Sequence, residues 1–302
     1  MLLILGAYFA ALALMIAVKG VFISADRYFL ILLAPAAALG LTRRYVRDFL
    51  PFVALILVYE HLRGVAHFLN TDLLGRDSFG EPMIAFDQML AGGRVPPAVL
   101  QDWLWTGTLE TKDHVLALVS RAHFIVPPTL LFLIWLERRE LFYRCAAAFV
   151  VASFAGAVAF LLFPATPPWL ASDQGLIEPL TRIGSVQADA SVLGTQRSLI
   201  ANAILPNPVA AVPSLHTAYS LLTLLSAWAW RRRVGYVFLL YPVTMWFTIV
   251  YFADHYVFDI IIGAAFGAAA WWWTGRALRP GGRLERLAGP FESPLRRARG
   301  SD

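Results

Sequence analysis

The chain reads as an all-α, polytopic membrane helix bundle, and three observations carry that reading. Of its 302 residues, 59% are hydrophobic and only 15% are charged, which is more apolar surface than a soluble domain of this size can hide. The apolar residues fall in long blocks, most of them long enough to cross a bilayer. Basic residues alternate along the chain between dense and sparse connectors, as they do when successive loops lie on opposite sides of a membrane.

The blocks predict about eight spans, near residues 1–20, 28–42, 49–69, 114–136, 141–163, 213–230, 234–252 and 255–275. The first lacks a basic start and a small-residue cleavage site, so it is expected to be a retained span rather than a signal peptide. The second is the shortest. With the N-terminus in the cytoplasm, the inside connectors hold Arg43, Arg44 and Arg47, then Arg138, Arg139 and Arg144, then Arg231, Arg232 and Arg233, and the tail adds Arg276 to Arg299. The outside connectors hold only Lys19, Arg27, Arg76, Arg94, Lys112, Arg182 and Arg197. This bias places both termini in the cytoplasm, with the plasma membrane as the expected location. It also accounts for the net charge of +5, so nucleic-acid binding is not indicated. The single cysteine, Cys145, excludes an intramolecular disulfide.

Two outside segments are long. Residues 70–113 carry short amphipathic stretches rich in Gly, Pro and Trp, as expected of interfacial helices. Residues 164–212 are apolar enough to form an ordered lid. Residues 279–302 form a Gly-, Pro- and Arg-rich tail, expected to be disordered and close to anionic lipid.

The chemistry gathers at the outer ends of the spans. His255 and Asp259 stand four residues apart at the start of the last apolar run. On one helical face Asp259 can accept from one imidazole nitrogen and leave the other with a free lone pair. An imidazole so held can act as a nucleophile. Taken alone the pair is equally an ordinary polar contact at a helix end. AVPSLHTAYS at the start of the sixth run adds a second histidine, His216, beside a proline suited to the first turn and a capping Ser214. Free N–H groups there suit an anion. Both histidines are expected at one depth on the same side. The combination predicts phosphoryl transfer: His255 attacks phosphorus, His216 serves as acid and base, and Asp259 orients His255. Neither HExxH nor an aspartate-rich motif occurs, so no metal and no cofactor is expected.

VPSLHTAYS and DHYVFDIIIG together resemble the second and third signature motifs of the type 2 phosphatidic acid phosphatase superfamily. With ATPPW at 165–169, EHLRGVAHFL, FDQMLAGGRVPPAVLQDWL and RAHFIVPP, they are most similar to the branch that contains fungal inositol phosphorylceramide synthase. The resemblance implies a six-helix phosphatase-like core within residues 49–278, preceded by additional membrane helices in residues 1–48. It implies the same three catalytic roles for His255, His216 and Asp259. The superfamily's KxxxxxxRP motif is absent, and Thr248 and Ile249 stand where Ser-Arg is usual. Phosphate must then be met by other groups, for which Ser214, Arg63, Arg121, His123 and Arg197 are the candidates. Arg63 could equally pair with Glu60 on its own helix, and Arg121 could snorkel.

The expected activity is transfer of a phosphate-bearing head group, such as phosphoinositol, from a phospholipid to a lipid alcohol. Hydrolysis of a lipid phosphate, with water as acceptor, shares its first step. A proton- or ion-coupled transporter is the rival of another class, but a transport path needs polar groups through the whole membrane depth, whereas these gather toward one side.

Overall fold

A computed structural model describes residues 25–189 and 207–278. The expected first span, Arg197 within the 164–212 segment, and the tail after residue 278 lie outside the described residues.

All regular elements among the described residues are helices. Helix α1 spans Ala25–Ala38. Helix α2, Thr42–His67, runs on through a π-helical turn, Phe68–Leu73, to give 32 residues. The run at 114–136 is two helices, α5 (Thr111–Ala122) and α6 (Val126–Glu137), meeting at 48°. The bend has a local cause. Pro127 and Pro128 lack N–H donors at the start of α6. The amides of His123, Phe124 and Ile125 close tight turns onto the carbonyls of Ser120, Arg121 and Ala122. His123 therefore sits at a break inside the bundle. Helix α7 is Arg139–Leu162, α10 is Leu215–Trp230, α11 (Arg232–Phe238) and α12 (Leu240–Tyr251) form one 20-residue apolar unit, and α13 is Val257–Ala277.

Four of these units are long and apolar enough to cross a membrane, and five are if the bent α5–α6 pair counts as one. Two further expected spans fall on α1, which is described from Ala25 onward, and on α10, whose 16 residues rise about 24 Å against a hydrocarbon core of about 30 Å. Helix α10 starts within two residues of the expected run, and the chain ahead of it is stitched into a loop layer: Ala165 N–H donates to Val209 C=O and Ala211 N–H to Ala165 C=O, while Thr166 N–H donates to Phe79 C=O.

That layer covers one end of the bundle. It contains α3 (Glu81–Leu90), α4 (Pro96–Leu104), α8 (Pro168–Asp173) and α9 (Ile183–Asp189). Met83, Ile84, Val95, Ala98, Ala171 and Tyr256 form its own small core. Toward the other end lies the main core, built on the stacked rings of Phe29, Tyr45 and Phe49, with Phe142 tilted against Phe49. Beside it the buried Asp48 accepts from Trp135 Nε1 at 2.8 Å, from Arg139 at 2.6 Å twice, and from Tyr143 at 2.7 Å.

Helix α10 is central, packing on α6, α7, α12 and, most closely, α13. Gly263 and Gly267 set that closeness. A Cβ at Gly263 would stand 2.3 Å from the Ser214 carbonyl oxygen, and one at Gly267 would stand 3.0 Å from that of Ala218. Small residues four apart let two helix backbones touch. Ser214 N–H crosses the seam to the Asp259 carbonyl at 3.2 Å.

Candidate active site

The seam between α10 and α13 ends in three histidines. Ser214 caps α10, its Oγ accepting Thr217 N–H at 3.3 Å, so His216 falls in the first turn. Pro213 stands just ahead of the cap rather than inside the helix. His255 precedes α13, in a turn whose amides at 254 and 255 both donate to the Ile249 carbonyl. Ala253, in the left-handed region at φ 62°, makes that turn possible.

Asp259 reaches back out of the first turn of α13. Its Oδ2 lies 3.1 Å from His255 Nδ1 and also accepts Tyr256 N–H at 3.0 Å. The His–Asp pair thus forms across a helix start, not along a helix face. His255 Nε2 faces His216 Nδ1 at 3.3 Å. With Asp259 accepting from His255 Nδ1–H, His255 Nε2 carries the lone pair, and His216 Nδ1–H donates to it. Asp259 is fully buried and His255 is 6% exposed, so solvent competes little for either bond.

His123 completes the cluster. Its ring centroid is 4.7 Å from that of His216, and its ring stacks on Tyr219 at 5.0 Å. Tyr219 is held in turn by a hydroxyl contact with Ser153. The Nδ1 of His123 is buried with no hydrogen-bond partner among the described residues. Arg63 pairs with Glu60 at 3.1 Å, leaves its buried Nε without a partner among the described residues, and is near enough for its charge to act on His216. Its backbone carbonyl accepts from Asn207 Nδ2 at 2.8 Å.

The other candidates stand apart. Ser214 is fully buried and its hydroxyl is occupied as a helix cap. Arg121 lies in the last turn of α5, at the α5–α6 break, and its side chain has no hydrogen bond or ion pair among the described residues that would join it to the histidines. Arg182 lies over the Trp169 ring at 4.2 Å and pairs with Asp254 at 3.4 Å, beside His255. Burial pushes the Asp254 carboxyl up, and Arg182 opposes that.

Tyr219, Gly263 and Asp87 are residues that the motif reading passed over. Tyr219 has a signal in the sequence, standing three residues after His216 on the same helical face. Gly263 and Gly267 have one too, the small-residue spacing inside an apolar run. Asp87 lies in the quoted FDQMLAGGRVPPAVLQDWL stretch, but nothing in that stretch marks its partners.

Chemically, the site offers an oriented imidazole whose Nε2 lone pair faces His216, a second imidazole that can give and take a proton, and two nearby nitrogens without partners among the described residues. Over 159 residues the chain is 31% identical to phosphoinositol dihydroceramide synthase of Bacteroides thetaiotaomicron, a match that covers 48% of this chain and 50% of that protein. The chain thus aligns with about half the length of that relative. No solved structure matches. Residues 83–273, which contain all three histidines and Asp259, match the PAP2 superfamily, and the chain belongs to it.

Proposed function

We propose that the protein is an integral membrane phosphotransferase that moves a phosphate-bearing head group from a phospholipid to a lipid alcohol through a phosphohistidine on His255. The observation that carries this reading is the relay Asp259–His255–His216, with contacts of 3.1 and 3.3 Å. Membership of the PAP2 superfamily and similarity to a phosphoinositol transferase support the substrate class.

In the first step His255 Nε2 attacks phosphorus and the P–O bond to the lipid alcohol breaks. His216, which carries protons on both ring nitrogens when the phosphate ester binds, gives one to the departing oxygen and becomes neutral, and Asp259 stabilises the positive charge that develops on His255. In the second step the acceptor hydroxyl gives its proton to His216 and attacks phosphorus, and the P–N bond breaks. Both histidines return to their starting states. A phosphoryl group must enter between the two rings, so substrate binding opens the 3.3 Å contact. Arg63 Nε and His123 Nδ1 are the groups proposed to receive the non-bridging oxygens. The basic bias of the connectors supports a site at the non-cytoplasmic face, with both termini in the cytoplasm.

The test is a product assay on purified protein in nanodiscs. Labelled phosphatidylinositol and simple lipid phosphates are offered with and without a lipid alcohol. A new phosphodiester that depends on the alcohol is expected. Water-soluble phosphate product independent of the alcohol would make the enzyme a hydrolase on the same first step. Asp259→Asn should lose about 10⁴ in kcat, the size of effect when an orienting carboxylate becomes an amide, and His255→Ala about 10⁶, as when a reacting residue of a triad is removed. Near-normal turnover in both would discard the phosphohistidine.

A further inference from the structure

The helix that carries Asp259 is closed from outside. At the start of α13, Tyr256 N–H is taken by Asp259 Oδ2. The next two amides point at α3. Val257 N–H donates to Asp87 Oδ2 at 2.9 Å, and Phe258 N–H donates to Asp87 Oδ1 at 3.1 Å. Asp87 is fully buried, so water does not stand in for either bond. A buried helix start without such a partner leaves orphan donors, and a carboxylate there also meets the positive end of the helix dipole. Burial pushes the Asp87 carboxyl up to about 6 against the pull of the two amides, which still leaves it mostly ionised at neutral pH. Next to it Phe86 packs edge-on against Phe258, with ring centroids 5.4 Å apart.

The other flank of the same turn is gripped by α4. Gln101 Nε2 donates to the Tyr251 carbonyl at 3.0 Å and to the Thr181 carbonyl at 2.7 Å, and its Oε1 accepts Thr181 N–H at 2.9 Å. His255 therefore rides on a turn held at its incoming side by Gln101 and at its outgoing side by Asp87.

From this arrangement we infer that Asp87 is a positioning residue for the His255–Asp259 pair: its two oxygens occupy the first amides of α13 and so leave the Asp259 carboxylate to His255. The inference rests on the reading of His255 as nucleophile. Its physical core is a competition. Without Asp87, the amides of Val257 and Phe258 lose their acceptor. The nearest carboxylate on the same turn is Asp259, whose Oδ1 has no hydrogen bond among the described residues. Turning toward those amides draws Oδ2 away from His255 Nδ1 and releases the imidazole from its tautomer.

The test compares wild type, Asp87→Ala, Asp87→Asn and Asp87→Glu as full chains in nanodiscs. Three readouts are taken: kcat and donor KM in the transfer assay, amide exchange across residues 257–258, and the low-field proton of the His255–Asp259 bond, assigned by its loss in His255→Gln. Asp87→Ala should speed exchange at 257–258, lower kcat about 10- to 100-fold as expected for a misplaced reacting group, leave donor KM within about twofold, and shift or abolish the low-field signal. Asp87→Glu should recover part of kcat. Faster exchange with kcat and the low-field proton unchanged would mean a cap and nothing more, and overturns the inference. Asp87→Asn keeps one acceptor oxygen and the volume, and carries the same comparison should the alanine variant not fold. An active His255→Ala would remove the phosphohistidine reading, while exchange and the proton signal would still report whether Asp87 holds the turn.

Discussion

Gly263→Ala adds one methyl group and should separate the two facing imidazoles. The new Cβ would lie 2.3 Å from the Ser214 carbonyl oxygen and 3.0 Å from Thr217 Cβ. Carbon and carbonyl oxygen settle at about 3.3 Å or more, so one helix must retreat by about 1 Å. The obstacle is backbone at the first turn of α10, which cannot rotate away as a side chain could. His216 is two residues beyond Ser214, and its 3.3 Å contact with His255 spans the same seam. A displacement of this size at reacting groups costs about 100-fold in rate. The effect on stability should be small by comparison: overpacking costs about 1–3 kcal/mol, and replacing glycine by alanine within a helix returns up to about 1 kcal/mol. The assay is the initial transfer rate at saturating donor and acceptor, with the thermal midpoint measured on the same nanodiscs. The expected result is a rate down about two orders of magnitude with a modest fall in Tm. Gly267→Ala, whose Cβ meets the Ala218 oxygen at 3.0 Å, asks for a shift of only a few tenths of an ångström and should lose less than about tenfold. Gly263→Ala at more than a third of the wild-type rate would refute the claim that this close approach sets the histidine geometry.

Asp48→Ala should act on stability alone: it removes the buried acceptor shared by Arg139, Trp135 Nε1 and Tyr143, at a cost of about 3–5 kcal/mol. Denaturant or thermal unfolding should show that loss, with kcat per folded molecule unchanged. Asp87 makes a pH-dependent contribution whose sign follows from its folded carboxyl at about 6 against an unfolded value of about 3.9. The folded state holds that proton where the unfolded chain has lost it, so the contribution is full below about pH 4 and gone above about 6. The Tm advantage of wild type over Asp87→Asn should therefore shrink as pH rises through this window, and an advantage that grows would contradict the assignment. Vanadate should inhibit turnover by mimicking the phosphoryl group at His255. EDTA should leave turnover within about twofold, and complete loss that added metal restores would put the reaction on a different chemistry from the one proposed.

What the sequence made legible follows the strength of its local signals. The membrane bundle was readable because apolar blocks and basic connectors are compositional, and composition survives any detail of packing. His216, His255 and Asp259 were readable as a group because each stands beside a helix start, where polar side chains have few bland reasons to sit in an apolar run. Their geometry was less so. The four-residue spacing suggested a pair on one helical face, yet the helix begins at Val257, and Asp259 instead reaches back across the start of α13. The same bond arises from a different backbone, because an N3 carboxylate can meet both the first amide and a side chain just ahead of it. The sixth run was legible to within two residues: α10 begins at Leu215, after residues 209–211 that are bonded into the loop layer. Asp87 shows the limit most plainly. It caps amides 170 residues away in the chain, and a single sequence marks no partner for a carboxylate on an interfacial helix. Its role appears only once the fold has brought α3 to the mouth of α13. Asp259, the hydrogen-bond partner of His255, lies four positions from it and could be found by spacing, whereas Asp87, which takes the amides of Val257 and Phe258, lies half a chain away and could not.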